Sequence, residues 1–419
     1  MARLSNPLSS NCPSFICLSS ICLSSICVGL FASGGRQGLG GEIPVRTLRV
    51  PNGGIQPLIA RGKEGELLLV YYSGKPGSGD LYLLRSRDDG DTFGKPLRIN
   101  QQEGSAVATG NIRGAQIAVG KNGRIHVAWN GSSRAMPRGL ANPELPEDSP
   151  YRLSAPMLYT RLRDDGSGFE PERNVMQRTF ALDGGGSVAA DATGKVYVLW
   201  HGSSPDGGKG EGGRAVWIAR STDDGKTFST ESRANPKPTG ACGCCGLRCF
   251  VDSKGALYAL YRTATDTVHR NMRLLFSTDS GRRFESLEVA PWKVAACVMS
   301  SSALVEGSSS SVVAAWETEG QVYFADVRRR PLALSNSLRS APGKKRGRRF
   351  PALATNHRGE VLLAWTEGMR WKRGGAVAWA VFDRSGKVVP GSTGRSDGVP
   401  TWSLVAAFAR SDGSFVVVY

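Results

Sequence analysis

The octapeptide Ser86-Arg87-Asp88-Asp89-Gly90-Asp91-Thr92-Phe93 recurs as Ser221-Thr222-Asp223-Asp224-Gly225-Lys226-Thr227-Phe228. A third copy keeps Ser277, Asp279, Gly281 and Phe284 and places Arg283 where the others have Thr. A fourth is worn down to Asp164, Gly166 and Phe169. The first three follow a short apolar run, at 81–84, 216–219 and 274–276, that reads as a strand. The pattern suits a hairpin turn. An Asp side chain accepts hydrogen bonds from backbone N–H groups further on, Gly supplies a positive φ, and the aromatic plugs the turn against the sheet. Recurrence on this scale means a repeat architecture, and it constrains the fold more than any other feature of the chain.

A second repeat interleaves with the first. An apolar strand, a Gly-containing turn and a strand ending in an aromatic recur at 57–72, 115–129, 187–200, 247–261, 303–316, 352–365 and 404–419. The second strands, such as Lys195-Val-Tyr-Val-Leu-Trp200 and Glu360-Val-Leu-Leu-Ala-Trp365, are near-continuous apolar runs. Strands buried on both faces read this way. Each unit is therefore two inner strands followed by two outer strands, and four-stranded units repeated radially make an all-β propeller. Seven inner pairs argue for seven blades; six blades with irregular hairpins is the alternative. The last unit has only its inner pair, so the segment 45–50 is expected to close the ring. The 53 glycines fit many turns between short strands.

The apolar, Ser- and Cys-rich run at 15–31, after Arg3 and before Ala32-Ser33-Gly34, reads as a secretory signal peptide over 1–34. Export is the expectation, with residues 45–419 as a single propeller domain. No later segment has the apolar length to span a bilayer. The formal net charge of +17 is concentrated in part in Arg328-Arg329-Arg330 and in 344–349. These read as solvated loops. No motif or aromatic interleaving points to nucleic acid.

The turn motif Ser-x-Asp-x-Gly-x-Thr-aromatic is the Asp-box, or BNR repeat, and with the propeller pattern it makes residues 45–419 resemble the sialidase (neuraminidase) superfamily. The resemblance implies a propeller fold and an exo-sialidase-type glycoside hydrolase acting on acidic glycans. In that family an Arg near the start of the propeller binds the sialate carboxylate, and Arg49 in Leu48-Arg49-Val50-Pro51 is similar. A second such Arg ends an inner strand of the fourth unit, where Arg262 stands. The family's Glu before that strand is replaced by Cys242-Gly-Cys244-Cys245, and its third Arg has no counterpart in Glu319-Gly-Gln-Val-Tyr-Phe324. Where the nucleophilic Tyr precedes a Ser, this chain has Trp402-Ser403. Asp80 is the counterpart of the general acid.

The repeat itself aligns a second set. Residues before the first inner strand and after the second reach one face near the axis, the default ligand site of such a ring. They are Tyr72, Asn130, His201, Arg262, Glu317 and Thr366, with Glu367 one further along, on one side, and Arg113, Gln116, Asp183, the 242–248 loop, 297–301, Arg349 and Trp402 on the other. Asp183 and Glu317 suit the acid and base of glycoside hydrolysis, with His201 as an alternative proton-transfer group. Equally, Glu317 pairs with Arg262 as a tie between units, and His201 serves as a hydrogen-bonded structural residue. Trp402 is a sugar platform or a core residue. The expected partner is a carbohydrate or another acidic small molecule. A propeller that binds a glycan or protein without catalysis is the competing reading.

Five cysteines follow the leader: Cys242, Cys244, Cys245, Cys249 and Cys297. In an exported chain disulfides come first, including a bridge to Cys297. A reactive thiol and a soft-metal site for zinc or Cu(I) are the other readings. No cofactor is expected otherwise.

Overall fold

The computed structural model describes residues 43–419 apart from 345 and 346; the leader expected over 1–34 lies outside them. Seven sheets form a closed ring in which each innermost strand packs against the next and the last against the first. The innermost strands are Ile55–Arg61, Gln116–Val119, Ser187–Ala190, Arg248–Val251, Ser302–Glu306, Arg348–Thr355 and Ala406–Ala409. Each pairs antiparallel with a second strand: Leu67–Lys75, Ile125–Asn130, Val196–Gly202, Leu257–Arg262, Val312–Thr318, Val361–Glu367 and Phe415–Val418. This is the seven-bladed propeller that the repeat implies.

The core is seven slabs, one between each pair of neighbouring blades. Side chains alternate across a strand, so each strand feeds two slabs. In the third blade Val196, Val198 and Trp200 face the second blade, while Tyr197 and Leu199 face the fourth. Both faces are thus apolar, which is why these strands read as unbroken hydrophobic runs. Trp129, Trp200, Tyr261 and Trp316, which end four of them, are essentially inaccessible.

The blades differ from a uniform four strands. The fifth has an added pair, with Leu332–Leu334 and Arg339–Ser340 both on Gln321–Arg329. The seventh has three, because Val45–Leu48 closes the ring as a single strand parallel to Phe415–Val418. Arg46 and Arg410 grip Asp91 of the first blade at 2.7 and 2.8 Å beside this seam. The only α-helical segment among the described residues is the single turn Gly210–Gly213.

Three turns have the expected chemistry. The Asp223 carboxylate accepts from the Thr227 N–H at 2.9 Å, the Thr227 hydroxyl at 2.6 Å and the Ser221 hydroxyl at 2.7 Å, and Ser221 Oγ accepts from the Gly225 N–H at 2.9 Å. Asp88 repeats this with Ser86, Gly90 and Thr92, and Asp279 with Ser277, Gly281 and Arg283. Donated hydrogen bonds lower the Asp279 carboxyl to about 2. The left-handed conformation falls on two consecutive residues, not on Gly alone: Asp89 has φ 59° before Gly90 at 89°. Phe93, Phe228 and Phe284 are half-buried against the interblade slabs. The degenerate copy is different. Asp164 turns away to ion-pair with Arg124, and Asp165 holds the turn by accepting from the Ser167 N–H at 2.9 Å. Only Gly166 and buried Phe169 keep the roles the alignment gives them.

Candidate functional site

The loops entering the third, fourth and fifth blades run side by side over the axis. Gly185 bridges Gly246, and the Gly246 N–H donates to the Ser300 carbonyl at 2.8 Å. Gly185 is required there, because a Cβ would lie 2.1 Å from the Ile112 carbonyl oxygen. Beside these loops opens a cavity of about 230 Å³ lined by Arg113, Asp183, Glu211, Gly243, Cys244, Cys297, Met299 and Trp371, with Gly110 and Ile112.

Two carboxylates face this space. Asp183 takes a 2.6 Å hydrogen bond from Arg113 and lies 3.7 Å from Arg214. Glu211, on the helical turn, takes 2.6 Å and 2.7 Å bonds from Arg270 and the Gly243 N–H, and lies 3.6 Å from Arg214. Arg214 therefore stands between them. Trp371 is exposed and meets the half-buried Trp402 edge to face at 6.3 Å. Trp402 itself has φ 58°, and its carbonyl accepts from the Gln56 side chain at 2.8 Å.

The other aligned residues are placed differently. His201 is fully buried beneath Gly184, and neither ring nitrogen meets a hydrogen-bond partner among the described residues. Burial, reinforced by the nearby Arg214 charge, lowers it to about 4, so the ring is neutral. Arg262 and Glu317 pair at 3.2 Å with side chains 1% and 2% exposed. Arg262 also donates to the Arg270 carbonyl at 2.8 Å and lies 5.1 Å from the Trp292 ring centroid. Burial pushes the Glu317 carboxyl up, with Arg262 and the Gly320 N–H opposing. Glu367 is held by Arg348 at 3.2 Å and by Trp365 Nε1 at 3.0 Å. Asn130 is buried and clips the 184–186 backbone, donating to the Gly184 carbonyl at 2.7 Å and accepting from the Gly186 N–H at 3.2 Å. Arg49 stacks on Tyr419 at 4.3 Å and donates to the Asp397 carbonyl, away from the cavity lining. Asp80 is engaged by Asn100 at 2.7 Å and the Gly104 N–H at 2.8 Å. Gln116 accepts from Arg248 at 2.9 Å inside the central channel.

Of the aligned set, Arg113, Asp183, Gly243, Cys244, Cys297 and Met299 reach the cavity, Trp402 stands behind Trp371, and His201 lies under the floor. Glu211, Arg214, Arg270 and Trp371 were not legible from the repeat. The signal for Glu211 was its place as one of two carboxylates, with Asp206, in the glycine-rich 202–213 loop, which interrupts the strand pattern.

All five cysteines are unbridged, so the disulfides expected from the sequence are not formed. Cys249 lies apart on the innermost strand Arg248–Val251, buried in the slab between the third and fourth blades. The other four cluster. Cys242 Sγ lies 3.4 Å from Cys244 Sγ and 3.5 Å from Cys245 Sγ, and the three sulfurs are mutually within 4.8 Å. Cys297 stands at the exposed rim and lines the same cavity as Cys244. Hydrogen bonds from Cys242, Cys245 and Cys297 hold the Cys244 thiol far below the usual range, while Cys242 is pushed up to about 12.

No protein-family profile matches the chain and no curated protein is similar to it. Solved structures are similar at the level of the fold. An α-L-arabinofuranosidase from Fusarium graminearum, bound to an iminosugar inhibitor, superimposes with a TM-score of 0.51 at 13% identity, covering 82% of this chain and 99% of that one. An α-L-arabinanase from Penicillium chrysogenum gives 0.49 at 14% identity over 80% and 94%, and a Hadza microbial sialidase 0.47 at 14% over 82% and 74%. Blade number and turn chemistry, with the likeness to the arabinofuranosidase, make the fold a β-propeller carrying Asp-box turns.

Proposed function

We propose that the protein is a glycoside hydrolase whose axial cavity takes a terminal sugar, with Asp183 and Glu211 as the reacting carboxyls. The observation that carries this reading is that both carboxylates line one cavity together with exposed Trp371. Hydrolysis of a glycosidic bond needs one carboxyl to protonate the leaving oxygen and another to attack the sugar or activate water. Trp371, backed by Trp402, offers an aromatic face to the apolar face of the ring. Arg113 is the guanidinium on the cavity wall and supports an acidic sugar. A sialate site of the three-arginine kind draws no support from Arg262, which is spent on Glu317, or from Arg49, which is spent on Tyr419 and Asp397. Export of the mature propeller is part of the same proposal and rests on the leader sequence.

One observation favours binding without cleavage: both cavity carboxylates are already gripped by guanidinium groups. The test is turnover of a panel of sialosides, uronides and neutral glycosides by the purified chain, with Asp183→Asn and Glu211→Gln alongside. Loss of a positioned acid or base lowers kcat by about 10²–10⁴-fold. Turnover that survives both substitutions overturns the assignment. Sugar binding without turnover establishes the binding propeller instead.

A further inference from the structure

We propose that Cys242, Cys244 and Cys245, with Cys297 as the donor on the cavity side, bind one thiophilic d¹⁰ metal ion, Zn(II) or Cu(I), in the floor of the axial cavity. Four observations carry this, and none depends on the glycosidase reading.

The first is spacing. Sulfurs ligating a tetrahedral ion at about 2.3 Å lie about 3.8 Å apart. The 3.4 and 3.5 Å separations here are close to that before any ion draws the sulfurs into place.

The second is rigidity. The three thiols share one tight turn, whose Cys242 N–H is held by the Arg262 carbonyl at 2.9 Å and whose Cys245 carbonyl is held by the Gly185 N–H at 3.3 Å. Ala264, Val298 and Trp292 pack around it. The fold, and not the ion, assembles the donor set, so little ordering opposes binding.

The third is charge. Arg270 and Arg214 are largely buried beside the turn, and Nε and Nη1 of each lack a hydrogen-bond partner among the described residues. Arg214 Nη1 lies 2.3 Å from where a Cβ on Gly243, between Cys242 and Cys244, would sit. Among the described residues Arg113, Arg214 and Arg270 share only Asp183 and Glu211, which leaves one positive charge over, and a buried guanidinium needs compensating negative charge. Three or four thiolates on Zn(II) or Cu(I) carry a net negative charge and supply it; a neutral disulfide does not.

The fourth is the surrounding donors. The Gly243 N–H, between Cys242 and Cys244, donates to Glu211 at 2.7 Å, the kind of outer contact that orients metal-bound thiolates. The chemistry balances without a redox partner: each ligating thiol releases its proton to water and the ion keeps its oxidation state.

The test uses the full-length chain, reduced and kept free of oxygen, dialysed separately against Zn(II) and Cu(I), then analysed for metal and for thiols open to a chromogenic disulfide reagent. One equivalent of one ion should be retained, and three or four thiols should become unreactive. Cys244→Ser should weaken retention at least 100-fold, exposed Cys297→Ser about tenfold, and Cys249→Ser not at all. If Cys244→Ser fails to fold, Cys297→Ser carries the comparison, since its rim position bears no packing. Retention of neither ion, retention unchanged in Cys244→Ser and Cys297→Ser, or a Cys244 disulfide that persists with metal present would overturn the proposal. The preferred ion identifies which of the two the site takes.

Discussion

Replacing Arg262 with Met separates a structural tie from a ligand-binding arginine. The guanidinium and the Glu317 carboxylate are 3.2 Å apart and almost inaccessible. At an effective dielectric of about 20, the attraction over that distance is about 5 kcal/mol. Removing one partner of a buried pair typically costs about 3–5 kcal/mol, because the other charge is left without compensation. The Arg270 and Glu317 carbonyls lose their donor as well. Arg262→Met should therefore destabilise the protein by about 4 kcal/mol at pH 7.5 in urea unfolding. The pH dependence has a definite sign. Burial holds the Glu317 carboxyl above its unfolded value, so the folded state binds the proton more tightly. Its contribution is complete below the unfolded pKa and is lost as pH rises through the folded one. Without Arg262 the folded value climbs further. The deficit of the variant should then grow from pH 4.5 to 7.5, and Arg262→Met with Glu317→Gln should recover most of it. A variant as stable as the parent at pH 7.5 that has lost only sugar binding would refute the tie and return Arg262 to the binding site.

Three further outcomes are expected. His201→Leu should flatten the acid limb of the stability curve: the folded pKa of about 4 lies below the usual 6.5, so stability present above pH 6.5 is lost as pH falls, by up to about 3 kcal/mol. If the substitution instead abolishes turnover with stability unchanged, His201 acts on the substrate. Asp223→Ala removes three acceptor interactions in an intact turn and should cost about 1–2 kcal/mol, whereas Asp164→Ala loses one exposed ion pair and should cost under about 0.5 kcal/mol; calorimetry distinguishes them. Gly243→Ala places a Cβ 2.3 Å from Arg214 Nη1 and 2.5 Å from Asp183 Oδ2, so both side chains must move. Turnover or sugar affinity should fall about 10²-fold with the unfolding midpoint nearly unchanged, and an unaffected site would show that the Asp183–Arg214 geometry is not used.

The two interleaved repeats, read from residue order, favoured seven blades over six and located the inner strand pairs and the closing segment; the tertiary structure fixes the count at seven. Both signals are local: a turn needs its own Asp, Gly and Ser, and a strand buried on two faces needs apolar residues at every position. The worn copy at 164–169 shows the limit of such a reading. Its Gly166 and Phe169 keep their places, yet Asp164 is drawn off by Arg124, just before the strand Ile125–Asn130, and Asp165 takes over the turn.

The site followed a different logic. Periodicity brought Asp183, His201, Arg262, Glu317 and Trp402 to one end of the ring, and no local rule says which of them remains open. That is decided by partners far away in the chain: Glu317 for Arg262, Arg113 for Asp183, Trp371 for Trp402. Glu211 and Trp371 enter the cavity from the loops that follow the second strands of the third and sixth blades, which carry no period to align them. The sequence alone determined a ring of four-stranded units built on apolar inner strands, because burial and turn chemistry act over a few residues. Only the tertiary structure decided which charges are consumed as ties and which face the axis, because a charge in a low-dielectric interior is settled by whatever neighbour the fold brings within a few ångströms.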